Sequence, residues 1–326
     1  MNLTIDPATL TPVGKDLVRP ECVLATRSGT VFCCDARGGI MRIGSGGSQH
    51  FIGNMGEPWG GPLVPNGITM MPDGSFLAAN LADEGGVWRI ALDGETTPHI
   101  TEVDGMPLLP ANFVARDAAG RIWITVSARS QPRTDTYHAD AAEGFLVLVD
   151  DRGARIVAEG FGFTNEAVVD PQGAYIYVNE TFGRRLTRFS LGADGSLGPR
   201  ETVMEFGHGI FLDGMAFDAE GGIWLTSVIS NRLIRLVPGE APFVVFEDPD
   251  ARLEEMEADY HAGIFGKKGH MTVSKGAHVA NLSSLAFGGP DLKTIFLGSL
   301  NGNHLLSFRS PIAGAPPVHW NWSGHA

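Results

Sequence analysis

The sequence predicts an all-β fold, a six-bladed β-propeller, and three observations support this prediction. Short apolar runs rich in Val, Ile, Phe and Trp alternate with turns rich in Gly, Asp and Pro, and helical periodicity is nearly absent. One hairpin pattern recurs, in which a polar residue is followed at a fixed distance by a turn glycine. The recurring unit is about 45 residues long and holds three or four strands, which is the size of a propeller blade.

The recurring hairpin places a polar residue at the same lead position of each unit. The lead positions are Glu21, Asn66, Asn112, Asn165, Asp213 and, in a looser sixth unit, Ser283. After Asn112, Asn165 and Asp213 an Asp follows five residues later and a Gly eight residues later, and the first two units keep the Gly. The lead positions lie 45, 46, 53, 48 and 70 residues apart. Six units therefore fill the chain, within the usual range of four to eight blades.

Each unit supplies its own strands, which we expect at the apolar runs. These runs are 22–25, 31–34 and 40–43 in unit one, 68–71, 76–79 and 86–90 in unit two, and 122–125 and 145–149 in unit three. They continue with 175–178 and 186–189 in unit four, 223–226, 233–236 and a possible fourth strand 243–246 in unit five, and 285–287, 295–298 and 305–308 in unit six. Either the residues before Glu21 or the tail around 318–320 would supply the outer strand of blade six.

Composition limits the class of protein. The chain of 326 residues, with 43% hydrophobic residues, is expected to form a single domain over 1–326. A net charge of −13 argues against nucleic acid and anionic membranes as partners. Three cysteines, two of them adjacent, do not form a disulfide framework. No signal peptide or transmembrane segment is visible, so a cytoplasmic location is expected. The sequence does not indicate the oligomeric state.

The lead residues predict a metal site. In a propeller the first strand of each blade lines the channel, so equivalent residues form a ring around the axis. Two carboxylates and three carboxamides would face each other across the channel, and without a cation the two carboxylates would repel one another and be desolvated. Oxygen ligands without Cys or His favour Ca²⁺, with Zn²⁺, Mn²⁺ and Mg²⁺ as alternatives. Any single Asn or Asp at a strand entry is also explained by turn capping, but five in one frame are not.

Other polar and aromatic residues of the units have a structural interpretation. The turn aspartates Asp73, Asp117, Asp170 and Asp218 are expected to cap their hairpins. Trp123, Tyr177 and Trp224 in the second strands are expected to pack between blades. No serine nucleophile elbow and no HExxH zinc motif is present.

Several of these residues lie in segments that resemble a known family. The segments are Arg19-Pro20-Glu21, Phe163-Thr164-Asn165-Glu166, Asp170-Pro171-Gln172-Gly173, Leu212-Asp213-Gly214-Met215 and the stretch 284–291. Together they resemble the gluconolactonase/regucalcin (senescence marker protein) family of metal-dependent lactonases. The resemblance implies that Glu21, Asn165 and Asp213 bind the metal, and that Asn112 completes the site directly, through water or by contacting substrate. It also implies that Asp213 acts as general base or nucleophile.

One departure from the family pattern concerns the substrate. Sugar-acid lactonases of this family carry an Arg two residues before the Asn of blade three, whereas Pro110 and Ala111 precede Asn112 here. The expected substrate is therefore a lactone or related ester less polar than a sugar-acid lactone. We expect Asn66, Asn112 and Phe163 to contact it. The apolar residues expected around the mouth of the channel are Trp59, Met106, Leu108, Phe113, Phe163 and Phe211.

The sequence is compatible with two alternative functions, and it leaves open the roles of the stretch 247–281 and of two histidines. A phosphoester or fluorophosphate hydrolase would use the same metal, and a non-catalytic ligand-binding propeller would hold a purely structural cation. The long stretch 247–281 is either part of the binding face or a solvated surface loop. His208 and His304 are both near enough in sequence to reach the mouth, but a lone histidine is more often a packing or surface residue.

Overall fold

The structure, a computed structural model, describes residues 3–324, which form six four-stranded antiparallel sheets arranged in a ring. The first strands of successive sheets contact one another around a central channel. Residues at equivalent positions of different blades therefore face each other, although 45 to 70 residues separate them in sequence. This arrangement confirms the predicted six-bladed β-propeller.

The first three blades follow the predicted order of strands, numbered here along the chain. A 3-10 turn at Pro7–Thr9 and strand β1 (Thr11–Val13) precede them. Blade one contains β2 (Val23–Ala25), β3 (Val31–Asp35), β4 (Gly39–Ile43) and β5 (Gln49–Gly53). Blade two contains β6 (Pro65–Met70), β7 (Phe76–Asn80), β8 (Val87–Ile90) and β9 (Thr96–Ile100). A small hairpin of β10 (Glu102–Val103) and β11 (Met106–Pro107) leads to blade three, with β12 (Phe113–Arg116), β13 (Ile122–Val126), β14 (Gly144–Asp150) and β15 (Gly153–Phe161).

The last three blades repeat the same pattern. Blade four contains β16 (Thr164–Val169), β17 (Tyr175–Glu180), β18 (Arg185–Leu191) and β19 (Leu197–Glu205). Blade five contains β20 (Ile210–Phe217), β21 (Ile223–Ile229), β22 (Arg232–Leu236) and β23 (Phe243–Phe246). Blade six contains β24 (Leu282–Gly288), β25 (Thr294–Ser299) and β26 (Leu305–Arg309), and its fourth strand is β1.

The two ends of the described chain meet at blade six. Strand β1 pairs antiparallel with β26, with Thr11 opposite Ser307 and Val13 opposite Leu305. Of the two closures compatible with the sequence, the structure thus uses the N-terminal segment. Up to residue 324, the C-terminal tail forms no strand of blade six. It packs beside the end of β24 instead, where the indole Nε1 of Trp320 donates to the carbonyl of Gly289 at 3.2 Å.

The hairpin turns are held by the aspartates that the repeat places there. Asp218 accepts hydrogen bonds from the backbone N–H groups of Glu220 and Gly222, and from the indole of Trp224 at 2.9 Å. Asp117 accepts from the indole of Trp123 at 2.9 Å in the same way. Both tryptophans are fully buried. The repeated Asp therefore orients the large side chain that fills the space between blades, as a structural residue does.

Two insertions cover one end of the channel. The stretch 247–281 contains helix α1 (Leu253–His261), a 3-10 turn at Phe265–Lys268 and helix α2 (His270–Val273). The insertion in blade three forms a 3-10 turn at Arg133–Thr136. The two insertions touch at Gly266, where a Cβ atom would overlap the carbonyl group of Thr134. They form one cover, so 247–281 is not a free surface loop.

The cover is anchored to the propeller by buried polar contacts. Arg184 of blade four forms a bidentate ion pair with Glu257 of α1 at 2.7 and 3.0 Å, and its guanidinium lies 3.9 Å from the ring centre of Tyr260. The hydroxyl of Tyr260 donates to the carbonyl of Phe182 at 2.6 Å. Because removing one partner of a buried ion pair is costly, these contacts hold α1 firmly over the channel.

Within residues 3–324, no helix is both long and apolar enough to cross a bilayer.

Candidate active site

The lead residues meet at the covered end of the channel because most inner strands carry the same irregularity there. Across the lead residue, the pairing with the next strand shifts register in β6, β16, β20 and β24. Asn112 directly precedes β12, and Glu21 lies two residues before β2. A β-bulge bends the strand and redirects a side chain. In four of the six blades the lead residue therefore coincides with a local break in the inner strand.

Two glycines allow neighbouring inner strands to approach closely at these bulges. A Cβ at Gly214 would lie 2.5 Å from the carbonyl oxygen of Ser283 and 2.7 Å from the Cα of Ser284. A Cβ at Gly67 would lie 2.6 Å from the Cα of Phe113. Glycine is therefore required by space at both positions, directly after a lead residue.

Five of the six lead residues line a single cavity of about 790 Å³. These are Glu21, Asn66, Asn112, Asn165 and Asp213, and each is at most 6% exposed. The sixth, Ser283, has a structural role instead, because its hydroxyl donates to the backbone carbonyl of Glu21 at 3.0 Å. The ring thus has five polar side chains, two of them carboxyl groups.

Asn66 and Asn165 use their side-chain nitrogens within the protein and leave their side-chain oxygens without partners, whereas Asn112 Oδ1 accepts from Asn66 Nδ2 at 3.3 Å. Asn66 Nδ2 donates to Glu21 Oε1 at 2.9 Å and to the Asn112 carbonyl at 2.7 Å. Asn165 Nδ2 donates to the hydroxyl of Thr181 at 3.1 Å, which in turn donates to the carbonyl of Leu212 at 2.7 Å. Buried Oδ1 atoms of Asn66 and Asn165 accept no hydrogen bond in the structure. Buried polar atoms are normally satisfied, so these two oxygens point to a missing ligand.

The surroundings of the two carboxyl groups disfavour their charged forms and raise the pKa of each. Burial raises the pKa of Asp213 well above its usual value, and the nearby Glu21 raises it further. Burial also raises the pKa of Glu21, although the positive charges of Arg19 and Arg133 oppose that effect. Two acidic groups in a desolvated site favour protonation or a cation. A cation bound between the two carboxyl groups would offset their mutual repulsion and the cost of their burial.

Two arginines that line the cavity were not among the site residues predicted from the sequence. Arg19 pairs with Glu21, with Nη1 3.1 Å from Oε2, and its guanidinium lies 5.4 Å from the ring centre of Trp59. Arg133 reaches the same cavity from the 3-10 turn of the blade-three insertion. The position of Arg19 two residues before Glu21 was a usable signal, whereas no sequence pattern marks Arg133 within its polar loop.

An aromatic and aliphatic wall forms one side of the cavity. Phe163 packs edge-on against Tyr137 and Phe182, with ring centres 5.1 Å apart in both pairs, and Phe265, Met271 and Leu300 extend the wall. Of the apolar residues expected at the mouth, Trp59 and Phe163 line the cavity. The expectation was wrong for Met106, Leu108, Phe113 and Phe211, which do not line it. Their strands place Met106 in the exposed β10–β11 hairpin and bury Phe211 against Tyr260.

Histidines play different parts around the cavity. His304 lines it, whereas His208 lies outside and contacts Glu254, with Nε2 3.2 Å from Oε2. His270 also lines the cavity, and its Nε2 lies 2.7 Å from the carboxylate of Asp259 in α1. This contact ties α2 to α1, so it fixes the cover in place.

A third acidic side chain lies in the channel beyond the ring. Glu166 follows Asn165 in the bulge of β16, but it lines a second cavity, of about 590 Å³, at the other end of the channel. It accepts a hydrogen bond from the backbone N–H of Met215 at 2.8 Å, and burial raises its pKa well above the usual value. The bulge therefore sends two consecutive side chains to opposite ends of the channel.

Comparison with known proteins identifies the family. Residues 19–250 match the model of the SMP-30/Gluconolactonase/LRE-like region. The chain belongs to this family. The matched region contains all five lead residues that line the cavity.

Three similar proteins carry related names. A pentonolactonase from Haloferax volcanii is 28% identical over 242 residues, 73% of this chain and 67% of that protein. A 6-deoxy-6-sulfogluconolactonase from Pseudomonas putida is 33% identical over 125 residues, which cover 37% of this chain and only 40% of that relative. A calcium-binding regucalcin from Agrobacterium tumefaciens superposes with a TM-score of 0.62 at 18% identity, covering 95% of this chain and 94% of its own. The similarity to regucalcin shows that the two proteins share a fold.

The residues of this family member fit a divalent cation bound by oxygen atoms. Within residues 3–324 no cluster of three His, Cys, Asp or Glu side chains is suited to a metal. The donor set instead combines the carboxylates of Glu21 and Asp213 with the unpartnered oxygen of Asn165. Such a mixture of carboxylate and amide oxygens is typical of Ca²⁺ sites, which water molecules often complete. The chemistry of the ring is therefore compatible with the metal that the sequence predicts.

Proposed function

We propose that this protein hydrolyses a lactone or related carboxylic ester with the help of a divalent cation. The observation that carries the proposal is the ring itself: two buried carboxyl groups with raised pKa values and an unpartnered amide oxygen at the floor of a covered cavity. The lactonase names of the Haloferax and Pseudomonas relatives support the same reaction.

Glu21, Asn165 and Asp213 would hold the cation, and Asn112 would complete the site or contact the substrate. Ca²⁺ suits the oxygen donors best, and the calcium-binding regucalcin supports this choice. When bound, the cation supplies a Lewis acid that polarises the lactone carbonyl. Asn66 keeps Glu21 and Asn112 in place through its Nδ2 hydrogen bonds.

Asp213 is the residue assigned to the chemistry. As general base it takes a proton from a water molecule, whose oxygen attacks the carbonyl carbon while the ring C–O bond breaks. The leaving oxygen receives a proton, and the product is a hydroxy acid. As nucleophile, a carboxylate oxygen of Asp213 would instead attack the carbonyl carbon and displace the ring oxygen, giving a mixed anhydride. Water would then attack the carboxyl carbon of Asp213, so that the product keeps an oxygen of Asp213. In either role, the cover limits the access of bulk water to the reacting groups.

Oxygen isotopes separate the two roles of Asp213. A single turnover in H₂¹⁸O, with protein in excess over the lactone, transfers ¹⁸O to the product if water attacks directly. If Asp213 attacks first, the product of that turnover contains unlabelled oxygen from its carboxylate. Mass spectrometry of the hydroxy acid distinguishes these results.

The substrate is expected to have an apolar part, because aromatic and aliphatic side chains form one wall of the cavity. A panel of gluconolactone, alkyl- and phenyl-substituted lactones, a phenyl ester and a phosphotriester tests both reaction and substrate. We expect hydrolysis of substituted lactones that stops after chelation and returns with Ca²⁺. Faster turnover of gluconolactone than of every apolar lactone would contradict the substrate assignment, and turnover of the phosphotriester alone would contradict the reaction.

A further inference from the structure

The cavity contains a guanidinium group that the proposed chemistry does not use. Arg133 lines the cavity together with Glu21 and Asp213. Its side chain makes no ion pair within 4.0 Å and no hydrogen bond to any residue in 3–324. The other arginine of the cavity, Arg19, is already paired with Glu21. Arg133 is therefore the cationic group of the site that is free to meet a ligand.

The backbone of Arg133 is fixed by the contacts of the 3-10 turn to which it belongs. Its 3-10 turn is closed by a hydrogen bond from the hydroxyl of Thr136 to the Arg133 carbonyl at 2.8 Å. The following residue, Tyr137, stacks on Phe182 with ring centres 4.4 Å apart. On its other side the turn rests against Gly266, which leaves no room for a side chain beside Thr134. These contacts fix the backbone from which the Arg133 side chain extends, so little backbone freedom is lost when a ligand binds.

The charges of the cavity favour an acidic ligand. The two carboxyl groups of the ring are balanced by the two guanidinium groups of Arg19 and Arg133. A divalent cation at the ring would leave the site positive by two charges, and the guanidinium of Arg133, which has no ion pair within residues 3–324, can meet an acidic ligand in the same cavity. Guanidinium groups match carboxylates in a planar, bidentate geometry. Neutral lactones leave this group unpaired at the wall of the cavity, which costs binding energy.

Resting on the proposed lactonase function, we propose that Arg133 selects lactones that carry an acidic group, of which a carboxylate is the simplest. The ester ring would lie over Asp213 with its apolar part against Phe163, and the acidic group would extend to the cover. The cover, rather than the inner strands, then determines which lactones are accepted.

Paired probes test this selection through binding and turnover. The turnover pair is γ-butyrolactone with a ring carboxylate and the same lactone with a neutral carboxamide. The binding pair is cyclopentanecarboxylate and cyclopentanecarboxamide, neither of which contains a lactone to be opened. Binding is measured by calorimetry on the Ca²⁺-loaded protein. The variants are Arg133→Met, Arg133→Lys and, as matched control, Arg116→Met, which removes the same charge beside the opposite cavity.

For the unaltered protein we expect the carboxylate of each pair to be preferred by about tenfold or more, since a hydrogen bond to a charged group contributes about 1.5–3 kcal/mol. Arg133→Met should abolish the preference through a higher KM for the acidic lactone, with the carboxamide unaffected. Arg133→Lys should retain part of it, and Arg116→Met all of it.

Equal binding of the two cyclopentane probes, or a preference that survives Arg133→Met, would overturn the assignment, because the acid would then be bound by the cation or by Arg19. The two proposals fail separately. If the lactones are not opened but the carboxylate is still preferred through Arg133, lactone hydrolysis is wrong and the acid-binding group stands. If lactones are opened without any preference for the carboxylate, lactone hydrolysis stands and the assignment of Arg133 as the acid-binding group is wrong.

Discussion

At the scale of single residues, two aspartates five positions apart in blade five have opposite roles. Asp218 accepts four hydrogen bonds, from two backbone N–H groups, an indole and the guanidinium of Arg235. Its pKa is lowered because these hydrogen bonds together outweigh the effect of burial. Burial and the nearby Glu21 raise the pKa of Asp213 more than its hydrogen bond with Asn165 and the charges of Arg19 and Arg133 lower it. The fold stabilises the charge of Asp218, whereas Asp213 is kept at a cost to stability, as is common for functional groups.

Asparagine substitutions at these two positions should therefore have opposite effects. Asp213→Asn is expected to reduce lactone turnover by roughly 10²- to 10⁴-fold, the usual contribution of a general base. The same change should raise the free energy of unfolding of the metal-free protein. Asp218→Asn should lower that free energy and leave most turnover intact. Initial rates and urea unfolding of both variants check this, and full activity in Asp213→Asn would refute its role.

The raised pKa values also predict how stability depends on pH. Glu21 and Asp213 have higher pKa values in the folded protein than their ordinary values of 4.5 and 3.8. Their contribution to stability is complete below those ordinary values and is lost as pH rises through the folded values. Chelator-treated protein should thus lose this contribution between acidic and neutral pH, and Ca²⁺ should restore stability. Thermal unfolding across that range measures it, and Asp213→Asn, the control, should show a weaker dependence.

At the scale of elements, the bulges of the inner strands decide where the lead side chains go. Gly214→Ala would force a Cβ against the Ser283 carbonyl. We expect this change to displace Asp213, reduce turnover at least tenfold and destabilise the fold by about 1–3 kcal/mol, as overpacking does. Gly207→Ala, in the connection that leads into blade five, is the matched control, because a Cβ there meets no atom within 4 Å. Unimpaired turnover in Gly214→Ala would show that the close approach does not position Asp213.

The sequence predicted the elements far better than their irregularities. The period of the units placed the lead residues on inner strands, and the turn aspartates and the buried Trp123 and Trp224 agree with their expected roles. The bulges were not predictable, because a register shift depends on the partner strand. Arg133 was missed for a related reason: its position depends on contact with an insertion more than 100 residues later in the chain.

At the scale of the whole molecule, the ring is closed by the N-terminal segment. Strand β1 completes blade six, and Leu3 and Leu10 are buried in the hydrophobic cluster beside it. Removing the first 13 residues should therefore cost about 3–6 kcal/mol from these two leucines alone and leave β26 as an unpaired edge. The double variant Leu3→Ala/Leu10→Ala removes the packing but keeps the strand. A truncated protein that unfolds at the same urea concentration as the full chain would contradict this closure.

The whole molecule brings together residues from five blades to make one site, and the central claim is that this ring binds a catalytic cation. A calorimetric Ca²⁺ titration of chelator-treated protein tests it most directly. We expect one binding site per chain in the unaltered protein and in Asp218→Asn, and loss of that site in Asp213→Asn. Unchanged Ca²⁺ affinity in Asp213→Asn, or the absence of binding by the unaltered protein, would contradict it.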